Sequence, residues 1–525
     1  MQNTGNYLNI GNAGFASVRK GTYVDKTGMI AFTNRILGTK DKLICVSRPR
    51  RFGKSIAAQM LCAYYDKSCD SRELFERLEI SGDASFEQYL NRYNVIYLDI
   101  TLFISRASNI RDVVPSMKAA VMKEVADAFP DVPKGADLAE TLINTAKTIG
   151  EKFIMIIDEW DALFREARGD AKLQKEYIVL LRSLFKSSWT DAVFEAVYIT
   201  GILPIKKYST GSALNMFKEY TMLRDPFFEE YFGFTENEVK ALCERQSALT
   251  MDEISDWYNG YQAGGGTRLY NPRSVVCALE DSMCQSYWTR TGKMDEVLFF
   301  LKYNIGEVRD DVIRLVNDIP VRIDIKKEYY AGQKSPANRK DIYSAMIIYG
   351  LLSYHDGELR IPNKELMLEF EEALEDDDFG YVAELVRNSD QILNATLEKK
   401  GDTVASYLHD IHNSELPIQK YNDENSLSCV VTLAYLSARN KYRIEREEKS
   451  DKGFADFIFH PRRNNLPGII LALKADSTPQ DAIAQIKNKE YCEKLRKENV
   501  TNILAVGLSY DTGKKEHLCT ITDLS

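Results

Sequence analysis

The sequence predicts an α/β protein in three parts: a parallel-sheet domain over residues 1–280, a helical connector over 281–410 and a smaller α/β domain over 411–525. Three observations predict it. Short, continuous apolar runs alternate with helical patterns through the first half. Long apolar-periodic helices fill the middle. A helix, two β runs, a helix and a further β run close the chain. At roughly 100–200 residues per domain, a chain of 525 residues holds two to four domains and an ample core without disulfides or metals.

In the first part the apolar runs are 43–46, 95–98, 153–157 and 196–200, each bounded by polar or turn residues. Such runs suit parallel strands buried on both faces. Helical patterns lie between them, at 54–65 and 173–187, and this alternation argues for a parallel sheet. In the middle part the acidic run from Glu371 to Asp378 reads as a solvated face or loop. The third part reads as a helix at 425–439, a β run at 455–459, a turn at 461–467, a β run at 469–473, a helix at 479–497 and a strand at 502–508.

Composition narrows the function classes. A hydrophobic share of 44% and a charged share of 28% exclude disorder, collagen and coiled coil. With 68 basic and 77 acidic residues, net charge −9, the chain is not a uniformly basic nucleic-acid coat, although a local basic groove remains compatible. Nine cysteines without CxxC spacing argue against a zinc site or disulfide framework and fit a reducing cytoplasm. Residues 1–14 are polar, and no apolar run approaches ~18 residues, so no membrane span is expected. His409 and His412 have helical i,i+3 spacing, but five dispersed histidines offer little else for a metal.

The first chemical constellation is a strand that runs into Arg48-Pro49-Arg50-Arg51-Phe52-Gly53-Lys54-Ser55 and then a helix. Strand, loop and helix are the context a phosphate-binding loop requires, because loop and helix N–H groups cradle phosphate oxygens. Lys54 would meet the β and γ phosphates and Ser55 would bind Mg²⁺, with Arg50, Arg51 and Gly53 lining the loop. Arg48 stands where a first glycine is usual. About 100 residues on, Phe153-Ile154-Met155-Ile156-Ile157 ends in Asp158-Glu159, the Walker B pattern. Asp158 would hold Mg²⁺ and Glu159 would polarise the attacking water. Thr200, at the end of the next apolar run, is placed to sense the γ-phosphate.

The second constellation lies in the third part. Asp456 sits in one short strand, and the next carries Ala472-Leu473-Lys474. Alternate residues of a strand share a face, so positions 472 and 474 converge with Asp456. Metal-dependent phosphodiester cleavage needs two or three carboxylates around Mg²⁺ and a lysine that helps position water. Asp456 and Lys474 fit that need, Glu424 would add an acid, and Gln485 and Tyr491 would orient the site. Position 472 should then be a carboxylate, and it is alanine.

These residues together resemble a bacterial family that joins an AAA-ATPase-like N-terminal domain to a C-terminal PD-(D/E)XK nuclease domain. The marks are Tyr23-Val24-Asp25-Lys26-Thr27, the loop from Arg48 to Ser55, Asp158-Glu159, Thr200-Gly201, Trp257-Tyr258-Asn259-Gly260-Tyr261, Tyr270-Asn271-Pro272, Ile361-Pro362-Asn363-Lys364-Glu365 and the segment from Gly453 to Asp456. The family's loop reads RPRRFGKS, so Arg48 is no departure from it. The resemblance implies a P-loop NTPase of the ASCE/AAA-like type that binds ATP and Mg²⁺ at Lys54, Ser55 and Asp158, with Glu159 as catalytic acid. It also implies a nuclease site at Asp456 and Lys474 that uses Mg²⁺ or Mn²⁺. Alanine at 472 departs from the family's glutamate and would weaken metal binding and cleavage. Two origins fit: natural degeneration, or a glutamate replaced to silence the enzyme. Intact Asp456, Lys474 and Gln485 favour the second.

The leading expectation is an ATP-driven regulator of its own nuclease, acting on DNA or RNA as a homo-oligomer in the cytoplasm. The alternatives are a nucleotide-driven switch whose degenerate nuclease domain only binds nucleic acid or a protein partner, and an ATP site that turns over little. Near the second constellation, Arg439, Arg443 and Arg446 would either meet phosphates or form a solvated face interleaved with Glu445, Glu447 and Glu448.

Overall fold

A computed structural model describes residues 5–205, 214–224, 227–288, 299–301, 308–333, 336–375, 381–413, 424–447, 456–463, 465–487, 491–514 and 516–524. The chain divides into two compact units, Met1–Lys293 with Val321–Leu366, and Met294–Pro320 with Met367–Ser525.

The first unit is built on a five-stranded sheet of β1 (Leu43–Ser47), β2 (Asn94–Asp99), β3 (Phe153–Asp158), β4 (Phe194–Gly201) and β5 (Lys218–Tyr220). Its spatial order is β2-β3-β4-β1-β5, and every neighbouring pair is parallel. The four apolar runs read from the sequence fall inside β1 to β4, and β1 and β3 are buried throughout. β4 lies between the phosphate-loop strand β1 and the acid-ending strand β3, the additional-strand arrangement of ASCE ATPases. β5 escapes sequence reading because it is three residues long and opens on exposed Lys218 and half-buried Glu219. The helix Lys54–Tyr65 has the predicted bounds. The helix expected at 173–187 runs Ala171–Phe185 and starts where Asp170 caps the Leu173 N–H.

Residues 321–360 add a small antiparallel sheet inside the segment read as helical: β8 (Val321–Arg322), β9 (Ser353–His355) and β10 (Glu358–Arg360), in the order β8-β10-β9. A further pair, β6 (Tyr261–Gln262) and β7 (Arg268–Leu269), precedes it. Strands of two or three residues carry no readable alternation. The helical reading passed over the turn joining β9 to β10, where Asp356 and Gly357 have φ of 48° and 81°, although Asp-Gly is a strong signal for a tight hairpin.

The second unit carries β11 (Tyr442–Glu447), β12 (Asp456–Pro461), β13 (Gly468–Ala475), β14 (Ile503–Asp511) and β15 (Glu516–Leu524), in consecutive order. Only the β13–β14 pair is parallel. Helices Pro479–Lys487 and Tyr491–Lys497 form its crossover. Ile458, Ile470 and Ala472 pack with Ala482, Ile483, Ile486 and Leu495 on one face. On the other, Phe459 meets the rings of Tyr435 and Tyr442.

Four expectations need correction here. β11 and β15 were not anticipated. The helix 425–439 runs Glu424–Ala434 and gives way to a 3₁₀ turn, Leu436–Asn440. The single helix 479–497 is two. β11 was hidden because Arg443, Glu445 and Glu447 alternate along it and read as a solvated charge cluster. The acidic run begins inside the helix Lys364–Leu374, where Glu371 pairs with Arg439 at 2.6 Å. Residues 376–378 lie outside the described residues. Among the described residues no helix is long and apolar enough to cross a membrane.

Candidate functional site

Parallel strands bring their C-terminal ends to one edge of a sheet, and the ends of β1, β3 and β4 meet there. Past β1 the chain turns into the helix Lys54–Tyr65 through Gly53, whose φ is 89°. A Cβ at Gly53 would meet nothing within 4 Å, so it is the positive φ and not crowding that calls for glycine there. The helix N-terminus supplies N–H groups and positive partial charge at that spot.

Lys54 is 4% exposed; its Nζ donates to the Pro49 carbonyl at 3.1 Å and lies 3.6 Å from Glu159 Oε1. Ser55, in contrast, is exposed, and it lies near enough to Asp158 to favour that residue's ionised carboxylate. Asp158 ends β3 in a buried position, and burial pushes its carboxyl up to about 6. Glu159 has φ of 50°, a left-handed conformation that costs a non-glycine residue about 1 kcal/mol or more. Burial raises the Glu159 carboxyl, but Lys54, Arg165 and Arg50 outweigh it and hold the group below its usual range. The Thr200 hydroxyl donates to the Val46 carbonyl of β1 at 3.0 Å.

The three arginines of the loop differ. Arg48 is buried, donates to the Ser47 and Tyr220 carbonyls at 3.0 and 3.1 Å and stacks on Phe232. It thus fastens the ends of β1 and β5 to each other. Arg50 is half-buried close enough to act on Glu159. Arg51, with φ of 71°, donates to the carbonyls of Tyr287 and Trp288, each at 2.6 Å, and lies over the Trp288 ring.

Sequence reasoning missed what surrounds the loop. Glu365 is fully buried and accepts from the Ser274 hydroxyl at 2.8 Å and the Tyr287 N–H at 2.7 Å. Burial pushes its carboxyl up to about 7. Asn271 caps the helix Pro272–Asp281 that carries Ser274. Tyr261 donates to the Gly350 carbonyl at 3.1 Å and packs edge-on against Phe52 of the loop. The motifs around 257–261 and 270–272, which had no assigned task, and the segment 361–365, which resembles the family's connector, are thereby linked to Phe52 and Arg51 of the loop. Asp161, two residues past Glu159, is also buried and accepts from the Ile202 and Leu203 N–H groups at 3.1 and 2.9 Å. The signal available for it was its place directly after Asp158-Glu159-Trp160.

In the second unit, Asp456 on β12 is directly opposite Ala472 on β13. Lys474, two residues along, shares that face and is half-buried. The side chains of Asp456, Glu424 and Tyr491 lie outside the described residues, as do residues 453–455. By backbone, Glu424 opens the helix Glu424–Ala434 and Tyr491 opens the helix Tyr491–Lys497. Gln485 is half-buried on the helix that covers the Ala472 face. Ala472 itself is fully buried, and its β14 partner is Gly507. A side chain at Gly507 would lie 2.2 Å from the Pro479 carbonyl, so the helix start presses on the sheet there. Of the arginines expected at phosphates, Arg439 pairs with Glu371 and the Val316 carbonyl, and Arg443 with Glu498. No group of three or more candidate metal ligands occurs among the described residues.

Comparison with known proteins follows the same division. Residues 9–210 match the family described as "Predicted AAA-ATPase", and residues 422–519 match the PD-(D/E)XK nuclease superfamily. The chain thus carries an AAA-ATPase-like domain and, at its C-terminal end, a PD-(D/E)XK nuclease-like domain. Among solved structures it is similar to a Walker-type ATPase of Pyrococcus abyssi (12% identity, 66% of this chain and 94% of that chain, TM-score 0.35). It is also similar to the ORC2 protein of Aeropyrum pernix in ADPNP–ADP complexes (12%, 67% and 95%, 0.31) and to AMPPCP-bound DnaA from Aquifex aeolicus (10%, 63% and 80%, 0.26). No curated protein matches the chain.

Proposed function

We propose that the protein binds and hydrolyses ATP in its AAA-ATPase-like domain and uses that cycle to regulate a metal-dependent nuclease domain acting on DNA or RNA. The observation that carries the reading is the convergence of Lys54, Ser55, Asp158 and Glu159 at the helix start that follows Gly53. The donor set fits a nucleotide: N–H groups and a lysine for phosphate, a hydroxyl and a carboxylate for a divalent ion.

Nucleotide phosphates attract Lys54 away from Pro49 and Glu159. Ser55 and Asp158 would hold Mg²⁺, which supplies neutralisation of charge on the β and γ oxygens. Glu159, kept ionised by its cationic neighbours, accepts a hydrogen bond from the attacking water and aligns it. Thr200 is the candidate γ-phosphate sensor and would exchange its bond to Val46 for one to the nucleotide. In the nuclease domain Asp456, with Glu424, would hold Mg²⁺ or Mn²⁺, Lys474 would place the water and Gln485 would orient the strand. Residues 281–410 would connect the two activities. A homo-oligomer in a reducing cytoplasm belongs to the same reading.

A second reading has its own observation. Ala472 is packed among apolar side chains beside Asp456, so the cage lacks a carboxylate where the resemblance calls for one. A nuclease domain that only binds nucleic acid, switched by nucleotide, accommodates this directly.

The test is equilibrium binding of ATP with Mg²⁺, and phosphate release, for the protein and Lys54→Ala. Binding and turnover in the first, with affinity at least ~10-fold weaker in the second, are the expected results. Undiminished affinity in a folded Lys54→Ala protein contradicts the reading.

A further inference from the structure

Glu159 takes part in a second ion pair that phosphate binding does not require. Arg165, on the short helix Ala162–Glu166, is 7% exposed. Its Nη2 donates to Glu159 Oε2, and its Nε donates to Asp161 Oδ2 at 3.0 Å. Asp161 is itself fixed, because its two oxygens accept from the Ile202 and Leu203 N–H groups just past β4. Gly201 leaves this junction no slack: a Cβ there would lie 2.2 Å from Asp161 Oδ1 and 2.8 Å from Trp160 Cδ1. One guanidinium therefore ties the acid after β3 to a carboxylate anchored on the chain that follows β4. A planar fork suits such bridging and a point charge does not. Lys54 is the more distant cation on Glu159, at 3.6 Å, and bound nucleotide draws it off. Arg165, locked to Asp161, stays.

We infer that Arg165 is the positioning residue of Glu159, fixing the direction of its carboxylate through the turnover cycle. The inference rests on the ATPase reading above. A glutamate that aligns water must hold its geometry closely, since small misplacements lower the rate without weakening substrate binding.

The experiment compares the full-length protein with Arg165→Gln and Arg165→Lys, and includes Lys54→Ala as a reference. It measures the affinity for Mg²⁺ with a non-hydrolysable ATP analogue, kcat and KM for phosphate release, and a thermal melt. Arg165→Gln is expected to lower kcat at least ~10-fold with affinity and KM within ~3-fold of the parent. Arg165→Lys is expected to recover part of the loss by restoring charge without the fork. A folded Arg165→Gln protein with a smaller fall in kcat overturns the inference. So does a parallel loss of nucleotide affinity, or an Arg165→Lys protein no faster than Arg165→Gln. If Arg165→Gln does not fold, Arg165→Lys decides: a kcat at least ~3-fold lower at unchanged KM supports the inference, and an unchanged kcat overturns it. Failure of the underlying reading is distinct. The parent then releases no more phosphate than Lys54→Ala, and the inference falls with it.

Discussion

Glu365 is the residue whose chemistry is furthest from its sequence appearance. In the sequence it is only one charged residue of the motif 361–365, yet it is fully buried against Ser274 and Tyr287, with its carboxyl raised to about 7 by burial. A carboxyl raised in the fold adds stability that is complete below its unfolded value, near 4.5, and is lost as pH rises through about 7. Glu365→Gln mimics the protonated form and removes that dependence. The variant should therefore gain on the parent as pH rises from 5 to 8, by up to ~3 kcal/mol. Denaturant unfolding of both proteins at the two pH values checks this, and a gap that shrinks with pH contradicts it. Gly260 makes a simpler prediction. Its φ is 104°, and a Cβ would lie 1.6 Å from the Pro362 carbonyl oxygen. Gly260→Ala should destabilise the protein by at least ~2 kcal/mol, and an unchanged unfolding midpoint would count against the fold around the loop. The residues proposed to meet phosphate stand out in the sequence because that chemistry dictates their type and spacing. Glu365, Asp161 and Arg165 were not, because their roles arise from partners scattered along the chain.

Among elements, legibility followed burial. β1, β3 and β4 are buried along nearly their whole length and appear in the sequence as apolar runs. β11 has one face packed and the other charged, with Glu445 pairing Lys494 and His460, so its charges disguised it. The β3-to-β4 junction depends on Asp161, which satisfies two buried N–H groups and Arg165 at once. Asp161→Ala should cost roughly 3 kcal/mol or more, since it leaves those two donors without acceptors and takes from buried Arg165 one of its two carboxylate partners, Glu159 being the other. Chemical denaturation measures it, and a loss below ~1 kcal/mol would show that the junction is held by other contacts. In the second unit, β12 and β13 were expected to bring Asp456 and position 472 side by side, and the register does so. What the sequence could not reveal is how tightly the helix Pro479–Lys487 lies over that row, where Ala472 and Gly507 are adjacent.

For the whole molecule, two chemistries on one chain are the central claim, and alanine at 472 is its sharpest point. The most direct measurement is a paired cleavage assay of this protein and Ala472→Glu, on single- and double-stranded DNA and RNA, with Mg²⁺ or Mn²⁺, with and without ATP. The account predicts that the glutamate variant cuts nucleic acid in a metal-dependent reaction whose rate ATP changes, while the alanine protein cuts at least ~10-fold more slowly. A folded, nucleotide-binding Ala472→Glu protein that cuts no substrate with either metal contradicts the account and leaves the nucleotide switch as the function.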